Sequence, residues 1–399
     1  MSDILGGSTR DTNRLRILEA LLRYPARSRG ELGRALGLSR ATVTAVLSEL
    51  ERAGMVEQQA DGSADERRVI GRPPLQVSLA PDAAFAVGLD FGHRHVRAAV
   101  CDLGGKILAE RSEPSPVDQH PFASFDLAKR LTADVLAEAG VDISRVIGVG
   151  AGLAAPVDAA TATVHADGIL PGWAGIAPAV ELEARLGMPV RVENGANAGA
   201  LGEHLFGAGR GVGDMLYLRI SSGVGLGLII GDRLYGGVAG VAGEIGHITV
   251  QEDGLICRCG NRGCLETLVS PVAIARLLEH SRGEPVSPAQ LIELVNAGDR
   301  GAQRAVADAG RTIGVTLAAT INLLNPSVVV IGGELADTGS VLLNPIRKAI
   351  DERAVSPAAA AVRVITGELG DRAEVLGAAT TQLARAPEAL ANRLSLLTG

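Results

Sequence analysis

Apolar residues near the start of the chain recur at helical spacing. Leu15, Ile17, Leu18, Leu21 and Leu22 share one face of a helix that should stop near Tyr24-Pro25. Ser28 is placed to cap a second helix, with Glu31 at the capping-box position and Leu32, Ala35 and Leu36 turned to a core. Gly37-Leu38 predicts a tight turn. Ser39 then caps a third helix from Arg40 to about Arg52, striped by Val43, Val46, Leu47 and Leu50. Helix, glycine turn and helix is the helix-turn-helix arrangement, whose second helix enters the major groove by its N-terminal residues. Arg40, Thr42 and Thr44 stand at that end, off much of the apolar stripe. Two strand-like stretches follow, Gly54–Glu57 and Arg67–Leu79, around a polar tip. They predict a wing, from which Arg72 can reach phosphate or the minor groove. A plain three-helix bundle with solvated arginines would leave that wing unexplained.

After Pro81 the pattern changes. Phe85–Gly92 and Val96–Gly105 predict a buried strand, a tight turn and a returning strand. A second copy, Met215–Ile220 and Leu228–Ile230 around Gly223, Gly225 and Gly227, comes about 130 residues later and points to a duplicated architecture. Helical stretches follow each copy, Phe122–Ala139 after the first, Pro271–Leu294 and Ala302–Leu324 after the second, and a late strand covers Ser327–Gly333. Strands mixed with helices predict α/β lobes with a cleft between them.

Length and composition refine this. At 399 residues the chain should form two or three domains, and 47% hydrophobic with 21% charged residues is a folded composition. Aromatics are 2%, so the core must be aliphatic. The net charge of −7 is unevenly spread: residues 1–80 hold 12 Arg against 10 Asp and Glu, the rest 26 Lys and Arg against 35 Asp and Glu. A mildly basic head on an acidic body suits nucleic-acid contact confined to the head. No charge-free apolar run is long enough to span a bilayer, and the first residues lack the basic-then-apolar pattern of a secretory leader.

Three of the four cysteines, Cys257, Cys259 and Cys264, fall within eight residues, and His247 lies ten before the first. Three thiolates and an imidazole make a closed tetrahedral zinc site of the structural kind, one ion per chain. A disulfide is the competing reading. Cys257 and Cys259 are too close to pair without strain, and any bridge leaves an odd thiol. Cys101 lies on an apolar strand and should stand apart. A closed ligand set also argues against a zinc hydrolase. Glu244 and Glu266 flank the ligands, which suggests that the metal shapes a polar pocket. Few cysteines, grouped as ligands, fit a reducing cytoplasm.

Taken together, Asp90-Phe-Gly92, Leu170-Pro-Gly-Trp173, Glu193-Asn194-Gly-Ala-Asn197, Gly223-Val-Gly-Leu-Gly227, Gly243-Glu-Ile-Gly-His247, the cysteine run to Glu266 and Gly332-Gly333 resemble the ROK family (repressors, open reading frames, kinases) of the sugar kinase, actin and hexokinase superfamily. The resemblance covers roughly residues 85 to 385, and the winged head is similar to the family's repressor branch, of the N-acetylglucosamine and xylose type. It implies an α/β fold: a winged helix-turn-helix at 1–80, then a two-lobed actin/hexokinase-like (ribonuclease H-like) domain at 81–399. The first lobe would be about 81–200 plus the C-terminal helix, the second about 201–380 with the zinc loop.

The resemblance also implies that Asn194, Glu244, His247 and Glu266 contact a sugar, His247 serving both sugar and zinc. The competing reading makes Glu244 and Glu266 supports for the zinc ligands. Two departures matter. The family's kinases carry Glu-Asn-Asp-Ala-Asn, whose aspartate is the catalytic base, and here Gly195 stands in its place. Glycine accepts no proton. The kinases' first phosphate hairpin, Asp-x-Gly-Gly-Thr, reads Asp90-Phe91-Gly92-His93-Arg94 here, with bulky residues where small ones admit phosphate. The expectation is a sugar-responsive transcriptional regulator, a repressor without catalytic residues. It would bind an inverted-repeat operator as a homodimer or homotetramer, with a sugar or sugar phosphate as effector, no membrane partner, and the zinc loop as relay. The alternative is an active sugar kinase with a DNA-binding head, which Gly195 argues against.

Overall fold

The computed structural model describes residues 9–23, 27–59, 75–158, 161, 163–164 and 168–398. The head opens with α1 (Thr9–Arg23), β1 (Arg27–Ser28), α2 (Arg29–Leu36) and α3 (Arg40–Arg52), followed by β2 (Val56–Gln59) and β3 (Gln76–Leu79). The predicted caps form. The Ser28 hydroxyl accepts from the Glu31 amide, and the Glu31 carboxylate accepts from the Ser28 amide at 2.8 Å. Gly37 ends α2 in the left-handed region at φ 64°, and the Ser39 hydroxyl caps α3. The three short strands pair antiparallel in the order β1-β3-β2. This is a winged helix-turn-helix. The wing tip and Arg72, at 60–74, lie outside the described residues.

The first lobe is a five-stranded sheet. Its elements are β4 (Phe85–Phe91), β5 (His95–Asp102), β6 (Ile107–Pro114), α4 (Pro121–Ala139), β7 (Val146–Leu153), α5 (Pro178–Leu186) and β8 (Val190–Asn194), and its strand order is β6-β5-β4-β7-β8. Then α6 (Gly195–Phe206) crosses to the second lobe. That lobe holds β9 (Met215–Ile220), β10 (Val224–Ile230), β11 (Arg233–Leu234), α7 (Glu266–Val269), α8 (Pro271–Arg282), α9 (Pro288–Asn296), α10 (Arg300–Leu324), β12 (Val328–Gly332), α11 (Ser340–Arg353), α12 (Ser356–Ala361) and β13 (Arg363–Thr366). Its sheet order, β11-β10-β9-β12-β13, repeats the first. In both sheets an antiparallel three-strand run precedes two parallel strands, as the repeated glycine hairpins led us to expect. The helical stretch expected from Pro271 to Leu294 is divided into two helices. Gly283 closes α8 at φ 74°, and Ser287 caps α9 with Pro288 in its first turn.

The chain ends with α13 (Ala373–Leu383) and α14 (Ala386–Thr398). The α13 helix is buried nearly throughout, between the first sheet and α6. Backbone meets backbone on both of its sides. A β-carbon on Gly377 would stand 1.6 Å from the Ala198 carbonyl oxygen of α6, and one on Gly150 of β7 would stand 1.8 Å from the Ala378 carbonyl oxygen. The last helix leaves the body. Ala386, Leu390 and Leu394 of α14 share one apolar core with Ile17, Leu18 and Leu21 of α1. The Arg393 guanidinium donates at 2.9 Å to the Ala83 carbonyl, in the 3-10 turn that links head and body. No described helix is long and apolar enough to cross a membrane.

The crossing of α6 and α13 yields a direct test. Gly377→Ala forces the two backbones apart and should cost about 3 kcal/mol, the upper end of overpacking penalties. The measurement is the urea midpoint of the full-length protein, which should fall with little change in slope. A wild-type midpoint would mean that the helices do not meet this closely.

Candidate functional site

A metal-ligand group forms where β10 and β11 return to the cleft. A 3-10 turn at Ile245–His247 presents the imidazole, and the loop to Cys264 folds back on it through bridges at Thr249–Cys264 and Ile256–Arg262. The candidate ligand atoms of His247, Cys257, Cys259 and Cys264 all lie within 4.8 Å of one another. His247 Nδ1 is 3.6 Å from Cys257 Sγ, and the sulfurs of Cys259 and Cys264 are 3.7 Å apart. A tetrahedron of thiolates about 2.3 Å from a metal has sulfur–sulfur edges of about 3.8 Å. The donor set therefore fits a four-coordinate soft cation. Burial and the neighbouring thiols push the Cys264 thiol up to about 12, which makes a thiolate cluster unfavourable without a cation. Cys101 stands apart, buried on β5 and donating to the Ala86 carbonyl.

The same turn borders the cleft between the lobes, a hollow open to solvent. Asn194, Glu244, His247 and Glu266 all line it, together with Gly195. The structure thus brings all four sugar candidates together. Their engagement differs. Asn194 caps α6: its Oδ1 accepts from the amides of Ala196 at 2.8 Å and Asn197 at 3.3 Å, and its Nδ2 donates to the Ala155 carbonyl. Glu193 stiffens that corner by accepting from the Asn194 amide and the Asn197 side chain. Glu266 accepts from the Val224 amide at 3.0 Å through Oε2, while Oε1 faces Arg258 at 3.6 Å. His247 turns Nε2 toward Glu244, 3.8 Å away. Burial, and then the Glu266 carboxylate, raise the Glu244 carboxyl to about 7.

Around the first hairpin, which the resemblance assigns to phosphate, the chain's polar groups pair with one another. Asp90 is buried and bonded at 2.8 Å to His95 Nε2. Burial works to raise the Asp90 carboxyl, but His95, Arg219 and Arg97 outweigh it and hold the group below its ordinary value. Arg219 pairs with buried Glu374 at 2.8 Å, and the Tyr217 hydroxyl donates to the same carboxylate. His93 is held by Asp118 at 2.7 Å and lines the cleft, and Arg94 reaches Glu334 across the lobes at 3.9 Å. His93 entered the sequence reading only as bulk. Asp118 and Arg219 gave no signal, since neither belongs to a recognisable spacing.

In the head, Arg40 is exposed at the start of α3, while Thr42 and Thr44 are half-buried. The Thr42 hydroxyl lies 2.8 Å from that of Ser39 and so belongs to the cap. The buried Arg14 guanidinium grips Glu49 at 2.8 Å and ties α1 to α3.

Comparisons with known proteins agree with this fold. The ROK family pattern matches residues 86–385, and the MarR family pattern matches residues 10–68. A putative xylose repressor of Caldicellulosiruptor sp. (strain Rt8B.4) is 30% identical over 92% of this chain and 94% of its own length. The glucokinase of Streptomyces coelicolor is 34% identical over 76% of this chain and 98% of its own. Among solved structures, a ROK family transcriptional regulator, a homolog of the E. coli MLC protein, superposes with TM-score 0.78 at 26% identity, over 96% of this chain and 98% of that one.

Proposed function

The chain belongs to the ROK family, and on that footing we propose that it is a sugar-responsive transcriptional repressor, DNA-binding through its winged head and cytoplasmic. The observation that carries this reading is a winged helix-turn-helix joined to a sugar-kinase-like cleft whose base position is Gly195. Likeness to a xylose repressor along head and body supports it.

Asn194, Glu244, His247 and Glu266 are assigned to the sugar. Carboxylates and an imidazole can fix hydroxyls that both donate and accept. The ligand geometry of His247, Cys257, Cys259 and Cys264 favours zinc, whose part is to staple the loop so that Glu244 and His247 Nε2 face the cleft. Elemental analysis should find one zinc per chain in the wild type and in Cys101→Ser, and a loss in Cys259→Ser. Full zinc in Cys259→Ser would remove this assignment.

For the enzyme question, likeness to a glucokinase keeps a kinase as the alternative. Two observations weigh against it. Gly195 has no proton acceptor, and Asp90 is committed to His95. No hexose or pentose should be phosphorylated by ATP above background, a lost base alone costing about 10²–10⁴-fold. Robust ATP-dependent product that vanishes in Asp90→Asn would reverse the reading.

Arg40, Thr42, Thr44 and Arg72 are assigned to DNA, with Arg40 the exposed base-edge candidate and a homodimer or homotetramer on an inverted repeat. Coupling to the sugar has a packing route. Asn194 and Gly195 begin α6, α6 crosses α13 without side chains between them, and α14 carries the movement into the core of α1. In operator titrations, sugar should weaken wild-type binding by about 5–150-fold, the usual range of such coupling. Glu244→Ala should keep its sugar-free affinity and lose the response. Arg40→Ala should weaken operator binding by about 1–3 kcal/mol with or without sugar. A Glu244→Ala variant that responds like wild type would place the sensor elsewhere.

A further inference from the structure

We propose that the effector is an uncharged sugar, that sugar phosphates and nucleotide phosphates are excluded, and that His93 makes this choice by closing the cleft between its two glycine hairpins. The inference rests on the sugar-sensing reading above and narrows its ligand.

His93 follows β4 at the first hairpin and is nearly buried. Its Nδ1 lies 2.7 Å from Asp118 Oδ1. An ionised carboxylate only accepts, so Nδ1 carries the hydrogen and the ring is fixed with Nε2 away from Asp118. A β-carbon on Gly223, in the second hairpin, would stand 3.7 Å from His93 Nε2 and 2.9 Å from Glu266 Oε2. Imidazole, glycine backbone and carboxylate therefore converge on one point. The His93 ring thus stands beside the second hairpin, on the ground that a phosphate cradle of open backbone amides would need. The Val224 amide of the second hairpin is also taken, since it donates to Glu266 Oε2 at 3.0 Å.

The charges around the cleft point the same way. Its two arginines already face carboxylates: Arg219 meets Glu374 at 2.8 Å, and Arg258 meets Glu266 at 3.6 Å and Asp118 at 4.0 Å. Glu244 and Glu266 line the hollow, and Asp118 borders it through His93. A phosphate dianion would enter an acidic wall and would have to break an ion pair to find a cation. A sugar hydroxyl meets no such barrier. It can donate to Glu244 or Glu266 and exchange a hydrogen bond with His93 Nε2. In this arrangement Asp118 is a positioning residue that acts through His93.

The test is calorimetric titration of full-length, metal-bearing protein. The probes are D-xylose, D-glucose, N-acetylglucosamine, D-glucose 6-phosphate, N-acetylglucosamine 6-phosphate and Mg-AMPPNP. The wild type should bind at least one neutral sugar. The phosphates tested should bind weaker by about a hundredfold, and the nucleotide analogue should not bind. His93→Ala should weaken the neutral sugar about tenfold and narrow the gap to the phosphates. His93→Gln, which keeps a polar group and guards against a folding defect, should recover part of the affinity. Asp118→Asn should shift the same ratio in the same direction by less. Binding of a sugar phosphate as tight as that of the neutral sugars overturns the proposal and leaves the sugar-regulator reading standing. An unchanged ratio in His93→Ala also overturns it. If none of these sugars binds, neutral or phosphorylated, the sugar-sensing reading falls and takes the proposal with it.

Discussion

The close seating of α13 is the constraint on which the rest of the molecule depends. Its backbone lies against the first sheet at Gly88 and Gly150, and it crosses α6 where Gly377 and Gly202 let the two backbones approach. Interiors packed this tightly transmit displacement because they cannot compress. α6 begins at the cleft with Asn194 as its cap, and α14, directly after α13, closes the core of the winged head. One buried helix therefore joins the ligand hollow, both lobes and the DNA-binding unit.

The second organising feature is how the cleft disposes of charge. Asp90 and Glu374 sit buried between the lobes, with half-buried Arg219 paired to Glu374 and with His95 and Tyr217 as hydrogen-bond partners. Buried ions need partners, and here the chain supplies them from within. The cleft itself is lined by groups able to bond hydroxyls, Asn194, Glu244, His247 and Glu266 among them. His93, held by Asp118, and Gly195 both border this cleft, from the first hairpin and from the start of α6.

Much of this was legible in the chain itself. Ser28, Glu31, Gly37 and Ser39 placed the head's helices because caps and left-handed turns are local devices. The paired glycine hairpins announced two sheets of one plan. The cysteine spacing gave the metal-ligand group because its ligands are close in sequence. What stayed hidden depends on contacts between distant segments. Asp118 meets His93 across 25 positions, and Tyr217 meets Glu374 across 157. The break at Gly283 was missed because apolar residues on both sides keep a helical spacing. The packing of α14 on α1 has no local signature either. The contacts that join α6 to the head through α13 and α14 likewise link segments far apart in the chain.

Amide hydrogen exchange on the DNA-free protein, with and without its neutral sugar, tests that route most directly, because exchange reports the local opening of each helix. The account predicts that sugar changes protection at the cleft and also along α13, α14 and α1. Changes confined to the cleft, with α14 and α1 exchanging as before while sugar still releases DNA, would contradict it.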